Sequence, residues 1–167
     1  MSGQINKNEF LEVYEKYSKD IFRYCCYKVS DREKANDLLQ DTFIKTWEYI
    51  NKGNEVENVR AFLYRTANNL IVDGFRKKKT LSLESLEEQG FDPSFDNTER
   101  MTDQMDGAIA MKYVKDLPKV YKEVIIMRFV EQLTVQEIAF ILKEKENNVS
   151  VRLHRSLAKL RKIIDKQ

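Results

Sequence analysis

The chain has 167 residues, of which 42% are hydrophobic and 34% charged, a balance typical of a globular protein and not of a disordered one. Its five glycines and two prolines do not recur at the spacing of strands and turns, so we expect helices throughout. No stretch approaches the roughly 20 apolar residues of a membrane span. Residues 1–9 are polar and lack the core of a signal peptide. The sequence therefore predicts a cytoplasmic protein without direct membrane insertion.

The net charge of +2 is unevenly distributed. Residues 80–108 carry one basic side chain against eight acids, whereas basic side chains are in excess before and after them. Two basic ends joined by an acidic strap indicate separate modules that bind a polyanion. Residues 80–104 have no sustained helical period, and structureless runs of that length are uncommon inside a compact domain. We therefore predict an all-α protein of two small helical bundles, residues 1–79 and 105–167, joined by an acidic flexible linker, residues 80–104.

Three helices are predicted in the first bundle. The first covers about Asn8–Val29, and Ser30 with Glu33 forms a capping-box pattern at the start of the second. Asn58 is placed to cap a third helix, predicted over about Val59–Lys79. Apolar side chains recur at three- and four-residue steps along each of them, so three helices of this length can enclose one core.

The second bundle has the outline of a helix-turn-helix. Thr134 and Glu137 form a second capping box at the start of a short helix, and Asn147 or Asn148 is placed to cap the last helix after a polar turn. The apolar stripe of the last helix comprises Val149, Leu153, Leu157, Leu160 and Ile164. A short capped helix, a tight turn and a longer basic helix are typical of DNA-binding domains.

The polar side chains of the last helix suit the major groove of DNA. Arginine can bind guanine edges, asparagine can bind adenine, and further basic groups can contact phosphates. The same side chains are equally compatible with an ordinary solvated helix face. The side chains assigned to this surface, all polar except Val151, are Asn148, Ser150, Val151, Arg152, His154, Arg155 and Lys159.

The sequence contains no pattern of an enzyme. It has no glycine-rich phosphate loop, no cluster of metal ligands and no pairing of a nucleophile with a base, and His154 is its one histidine. Cys25 and Cys26 are adjacent on a helix, which excludes an intramolecular disulfide and favours buried thiols. We therefore expect no cofactor, no metal and no catalysed reaction. A stand-alone dimeric helix-turn-helix regulator is one hypothesis for the function of such a protein.

The residues of both bundles resemble one protein family. The segment from Leu117 to Arg155, which includes Glu137-Ile138-Ala139 and Val149-Ser150-Val151-Arg152-Leu153-His154-Arg155, resembles the promoter-reading domain of extracytoplasmic-function (ECF) sigma factors. Asp37-Leu38-Leu39-Gln40-Asp41-Thr42-Phe43 is similar to the polymerase-binding helix of these factors. The segment from Phe62 to Leu70, followed by Asp73 and Arg76, is similar to their promoter-melting helix. The resemblance covers almost the whole chain except the linker.

This resemblance implies a function and its partners. Such a factor binds the clamp helices and the flap of the RNA polymerase core. It also recognises promoter DNA, melts that DNA and starts transcription. Many relatives are held inactive by an anti-sigma factor, which is thus a candidate further partner. Three residues match the surface that grips the clamp helices: Asp37, Gln40 and Asp41. Six match the surface at the melting element: Arg65, Asn69, Asp73, Arg76, Lys77 and Lys78, with Lys79 also near phosphates. The polar side chains of the last helix match the surface at the upstream element.

Four further expectations concern single segments. Trp47 is assigned to the core or its edge, because large aromatic residues at helical spacing are usually core. The loop of residues 52–55 matches the place where relatives hold a flipped base, although it is equally compatible with a plain turn. The linker is expected to imitate RNA inside the polymerase, with a simple tether as the alternative. The turn Lys143-Glu144-Lys145 departs from the Gly, apolar residue and Ser of relatives, so the last helix is expected to begin late, at Asn147, or to sit at a different angle.

Overall fold

The computed structural model describes residues 4–81 and 111–166, and every regular element in these ranges is a helix. The predicted all-α class is confirmed. The chain divides into two compact units, residues 1–92 and 93–167. The predicted boundaries at residues 79 and 105 remain predictions, and most of the predicted linker lies outside the described residues.

Helix α1 spans Lys7–Val29 and begins with a capping box that the sequence reading did not include. The side chain of Asn6 accepts from the Glu9 backbone N–H at 3.0 Å, and the Glu9 carboxylate accepts from the Asn6 N–H at 2.8 Å. These two bonds satisfy amides that have no partner within the helix.

The junction between α1 and α2 differs from the prediction. Ser30 does not cap α2, because it ends α1 in the left-handed conformation with φ 52° and donates its backbone N–H to the Cys26 carbonyl. Asp31 is the cap of α2, which spans Arg32–Asn51, and its carboxylate accepts from two backbone amides. Serine and aspartate are both good caps, so the backbone conformation of the turn decides between them.

Helix α3 spans Val59–Leu81 and completes the core of the first unit. The predicted cap is confirmed, since Asn58 Oδ1 accepts from the Ala61 N–H at 3.0 Å. The helix ends at Leu81, two residues beyond its predicted end. Trp47 is half-buried with its ring centroid 5.0 Å from that of Phe10, which confirms its place at the core edge.

The second unit contains three helical segments after a helical stretch at residues 111–114. Helix α4 spans Lys119–Ile125 and continues without a break into a wider π-helical turn, Ile126–Val130, where the Glu131 N–H bonds the Ile126 carbonyl. The wider turn inserts a residue into the helical repeat and rotates the side chains that follow. Phe129 follows the buried Ile125 by four residues, a spacing that keeps two side chains on one face of a regular helix, and it is exposed.

Helix α5 spans Val135–Leu142 and starts with the predicted capping box of Thr134 and Glu137, which is confirmed. Helix α6 spans Glu146–Asp165 and packs against α4 and α5. Its cap position is held by Lys145, without a side-chain hydrogen bond, so neither Asn147 nor Asn148 caps it and the helix does not begin late. Val149, Leu153 and Leu160 are buried as expected from the stripe, whereas Leu157 and Ile164 are exposed.

The turn between α5 and α6 contains a left-handed backbone conformation, although it has no glycine. Lys143 adopts the left-handed conformation, with φ 58° and ψ 42°, and the Glu144 N–H bonds the Ala139 carbonyl at 3.0 Å. This is the geometry of a helix end that normally selects glycine, because a side chain in that conformation is strained. The atypical turn therefore preserves the helix-turn-helix outline at a conformational cost.

Candidate nucleic-acid interface

Helix α6 separates a buried stripe from a polar outer surface. Val149, Leu153, Ser156 and Leu160 face the core of the second unit. Six of the seven side chains predicted to contact DNA are exposed on the rest of the helix: Asn148, Ser150, Val151, His154, Arg155 and Lys159. The arrangement leaves one long basic surface of the helix open to a ligand.

Arg152 is the seventh predicted side chain, and it differs from the others. It is half-buried beside the stripe, and its Nη2 donates to both carboxylate oxygens of Glu144, at 2.8 Å to Oε1 and 2.6 Å to Oε2. Glu144 belongs to the turn that the sequence marked as atypical. The guanidinium is therefore engaged by its own unit instead of projecting freely toward DNA.

Lys159 also has a neighbour inside the unit. Its ammonium lies 5.2 Å from the ring centroid of Tyr121 on α4, within the range of a cation–π contact. An exposed contact of this kind is weak enough for the side chain to exchange it for a phosphate. The structure thus keeps Lys159 at the border between α6 and α4.

Helix α3 presents the residues predicted for the melting element in two groups. Asp73, Arg76, Lys77 and Lys78 are exposed on the C-terminal half of the helix, together with Lys79. Arg65 and Asn69, nearer the N-terminus, are half-buried. The exposed half of the surface is basic and can approach phosphates without rearrangement.

The polar residues of α2 border a groove against α3. A shallow cavity of about 190 Å³ has an apolar floor formed by side chains such as Leu38, Ile71 and Phe75, and Asp37 and Asp41 contribute to its lining. Gln40 is exposed but lies outside this cavity. The structure therefore brings together two of the three residues predicted to bind polymerase, and places the third on a neighbouring part of the helix.

Lys34 is a lining residue that the sequence reading missed. It shares the cavity with Lys78 of α3, and the neighbouring Lys34 side chain lowers the pKa of Lys78 below the ordinary value for lysine. The spacing of Lys34, Asp37 and Asp41 places them on one face of α2 and could have indicated this neighbourhood.

The loop after α2 borders a second cavity, of about 370 Å³. Gly53 lies in this loop with φ 90°, a conformation that favours glycine, and Asn54 Nδ2 donates to the Tyr49 carbonyl at 2.9 Å. The cavity is completed by Gln4 and Ile5 from the segment before α1. No local pattern in the sequence predicts that this segment reaches the loop.

Within residues 4–81 and 111–166, no three His, Cys, Asp or Glu side chains are grouped so as to hold a metal ion. Cys25 and Cys26 are buried as free thiols, and burial raises the pKa of Cys26 although Arg32 opposes the shift. None of the helices described is long and apolar enough to cross a bilayer.

These features define a class of protein: an all-helical DNA-binding type with a helix-turn-helix in its second unit and a separate polar helical surface in its first. Comparison with known families agrees in both units. Residues 13–80 match the family model for sigma-70 region 2, and residues 108–160 match that for sigma-70 region 4.

Individual relatives extend the similarity along the chain. It is 26% identical to the ECF RNA polymerase sigma factor SigW of Bacillus subtilis, over 94% of this chain and 89% of the relative. It is 26% identical to SigX of the same organism, over 92% of this chain and 82% of the relative. The chain belongs to the sigma-70 family, in its extracytoplasmic-function group. Both regions occur in family order, which favours this class over a stand-alone dimeric regulator.

Two solved structures share the fold. CnrH, in complex with the cytosolic domain of CnrY, matches with a TM-score of 0.66 at 20% identity, over 97% of this chain and 91% of that chain. The sigma factor RpoE, in complex with the anti-sigma factor NepR from Bartonella quintana, also matches with a TM-score of 0.66, at 18% identity, over 94% of this chain and 97% of that chain.

Proposed function

We propose that this chain directs the RNA polymerase core to a two-part promoter and helps to open it, using the surfaces described above and catalysing no reaction of its own. The observation that carries the proposal is the presence of both sigma-70 regions, in order, in one chain with a separate polar surface on each unit. The cytoplasm is the proposed location, since the polymerase and its DNA template are there.

Helix α6 is assigned to the upstream promoter element. Val151, His154 and Arg155 are exposed on it away from the buried stripe, so they can enter a major groove without disturbing the core. Asn148 and Ser150 lie in its first turns, where a recognition helix usually meets base edges. Lys159 is assigned to contacts with DNA phosphates.

Helix α3 and the loop after α2 are assigned to the element that melts. Arg76, Lys77 and Lys78 supply positive charge for the backbone, and Arg65, Asn69 and Asp73 are assigned to the same element. The cavity of about 370 Å³ beside Gly53 is large enough to admit an unstacked base. Unstacking costs a few kcal/mol, which contacts inside such a cavity must offset.

Helix α2 is assigned to the polymerase. Asp37, Gln40 and Asp41 are exposed, and an acidic surface of this kind can bind basic helices of a partner. Exposed apolar residues of the second unit, such as Phe129, are assigned to the flap. The domain limits 1–79, 80–104 and 105–167 belong to the same proposal, as does an anti-sigma factor, the kind of partner named for the RpoE structure.

The deciding experiment is run-off transcription with purified core polymerase and a library of genomic promoters. We expect transcripts from a small set of two-part promoters only when this protein is added. A matched pair of variants, Asp41→Asn and Glu48→Gln, tests the assigned surface, because both remove one exposed carboxylate from α2. Asp41→Asn should weaken binding to the core by about five-fold, and Glu48→Gln should change it little. Absence of any affinity of the wild type for the core would overturn the proposal.

Mobility-shift assays separate this function from the dimeric regulator. A sigma factor of the proposed kind should select its promoter only when bound to the core. Tight, sequence-specific binding by the purified protein alone would favour the regulator.

Replacing the eight acids of residues 80–108 with Ser and Asn tests the linker hypothesis, and we expect altered abortive initiation. Unchanged initiation kinetics would leave the linker as a simple tether.

A further inference from the structure

The contact between Glu144 and Arg152 links the turn of the helix-turn-helix to the helix that follows it. The two residues are eight positions apart, and one guanidinium nitrogen donates to both carboxylate oxygens. Their side chains are 29% and 23% exposed, respectively, so water screens the pair less than it screens a fully exposed ion pair. A charge-assisted contact of this kind has a preferred geometry and resists displacement more than a single hydrogen bond.

Few other interactions fix the conformation of the turn between α5 and α6. Lys143 adopts a left-handed conformation that disfavours side chains, and Lys145, at the cap position before α6, makes no side-chain hydrogen bond to the helix. The backbone bond from the Glu144 N–H to the Ala139 carbonyl anchors the turn to α5 but not to α6. Among the described hydrogen bonds, that between Glu144 and Arg152 is the one that joins the turn side chains to the body of α6.

We infer that Glu144 and Arg152 are a positioning pair that sets the orientation of α6, so that Arg152 supports promoter reading through Glu144 and does not itself contact DNA. This inference rests on the proposed function and gives Arg152, which was predicted from the sequence to contact DNA, a different role. It explains how a turn without glycine can present a recognition helix: a long-range ion pair supplies the restraint that local backbone preference does not.

The alternative assignment, in which Arg152 contacts DNA, makes the opposite prediction for its partner. If Arg152 bound a base or phosphate, Glu144 would compete with DNA for the guanidinium and would also repel phosphates. Glu144→Gln would then tighten promoter binding. If Glu144 instead holds α6 in place, the same substitution weakens binding. The sign of the effect of one isosteric change therefore distinguishes the two assignments.

The experiment uses the full chain bound to core polymerase. Affinity for a promoter with the native upstream element and for one with that element scrambled is measured at several salt concentrations. The variants are Glu144→Gln, Arg152→Gln, the double variant and the charge exchange Glu144→Arg with Arg152→Glu. Glu146→Gln is the matched control, because Glu146 is an exposed acid two residues from Glu144.

We expect each single variant to lower the preference for the native element by about five-fold, as a contact of this strength implies. The double variant should be no worse than either single variant, and the charge exchange should recover most of the loss. The salt dependence should be the same for Arg152→Gln as for the wild type, since no phosphate contact is lost. Glu146→Gln should not reduce the preference.

Two results would overturn the inference that Glu144 and Arg152 position α6. One is tighter binding by Glu144→Gln together with a lower salt dependence for Arg152→Gln, which would make Arg152 a DNA contact. The other is additivity of the two single variants, both in promoter preference and in denaturant unfolding of the free chain. A wild-type holoenzyme that ignores the upstream element would instead overturn the proposed function, and with it the inference; the unfolding measurement on the free chain still reports whether the two side chains interact.

Discussion

The hydroxyl of Tyr24 on α1 donates to Oδ1 of Asn68 on α3 across 3.2 Å, and both residues are buried. The bond joins α1 to α3, the helix assigned to promoter melting. A buried amide that loses its partner keeps the cost of its desolvation, so the contact helps to fix how α3 sits on α1.

Tyr24→Phe should therefore destabilise the protein by about 1–2 kcal/mol. The ring still fills its place 5.3 Å from that of Tyr64, so the loss reports the hydroxyl and not the packing. Chemical denaturation of the full chain measures the change. Tyr14→Phe is the control, because Tyr14 is 41% exposed and should change stability little. Equal effects of the two substitutions would show that the buried hydrogen bond contributes nothing specific.

Lys143→Gly should stabilise the protein by about 1 kcal/mol, because glycine adopts the left-handed conformation without the strain that a side chain adds. Lys143 is the residue with φ 58° at the end of α5. Lys52→Gly is the matched control, since Lys52 also stands at the end of a helix but has φ −78°, so glycine relieves no left-handed strain there. Thermal unfolding measures both variants. A loss of stability in Lys143→Gly would mean that the lysine side chain makes a contribution larger than its strain.

Arg155→Ala and Lys159→Ala should weaken promoter binding in different ways. Arg155 is exposed on α6 and is assigned to a base, so its loss should cost about 1–3 kcal/mol and relax the preference at one upstream position. Lys159 is assigned to a phosphate, so its loss should weaken all sequences alike and reduce the salt dependence by about one unit of slope. Holoenzyme binding to promoter variants at several salt concentrations measures both. Identical behaviour of the two variants would contradict this division.

The buried Cys26 thiol should react slowly with alkylating reagents in the folded protein. Burial raises its pKa above the usual value, so the reactive thiolate is scarce near neutral pH. Because the folded state favours the protonated thiol, this contribution to stability is present below the pKa of the unfolded chain and is lost as the pH rises through the folded pKa. Cys26→Ser should remove that alkaline loss. Rapid labelling of native protein at neutral pH, at a rate equal to that of unfolded protein, would contradict this prediction.

Several elements were predictable because their determinants lie within a few residues of one another. Thr134 and Glu137 form a capping box in which both partners belong to the same helical turn, and Asn58 caps α3 by an equally local bond. The junction at Ser30 and Asp31 was not predictable in the same way. Both residues can cap a helix, and the left-handed backbone at Ser30 decides which of them does.

The candidate site shows the same division. Periodicity along α6 separated the buried stripe from the polar surface, and six of the seven assigned side chains are exposed. It could not reveal that Arg152 bonds Glu144, because the contact depends on how the turn folds back toward the helix. Nor could it reveal that Lys34 lies beside Lys78, since these residues belong to different helices.

The sequence by itself determined the helical class and the membership of the sigma-70 family, because amphipathic periods, caps and motif residues are properties of neighbouring positions. Only the tertiary structure decided which side chains remain exposed to a partner. That choice depends on contacts between distant segments: the exposure of Phe129 after a π-helical turn, the groove between α2 and α3, and the pairing of Arg152 with the turn before its helix.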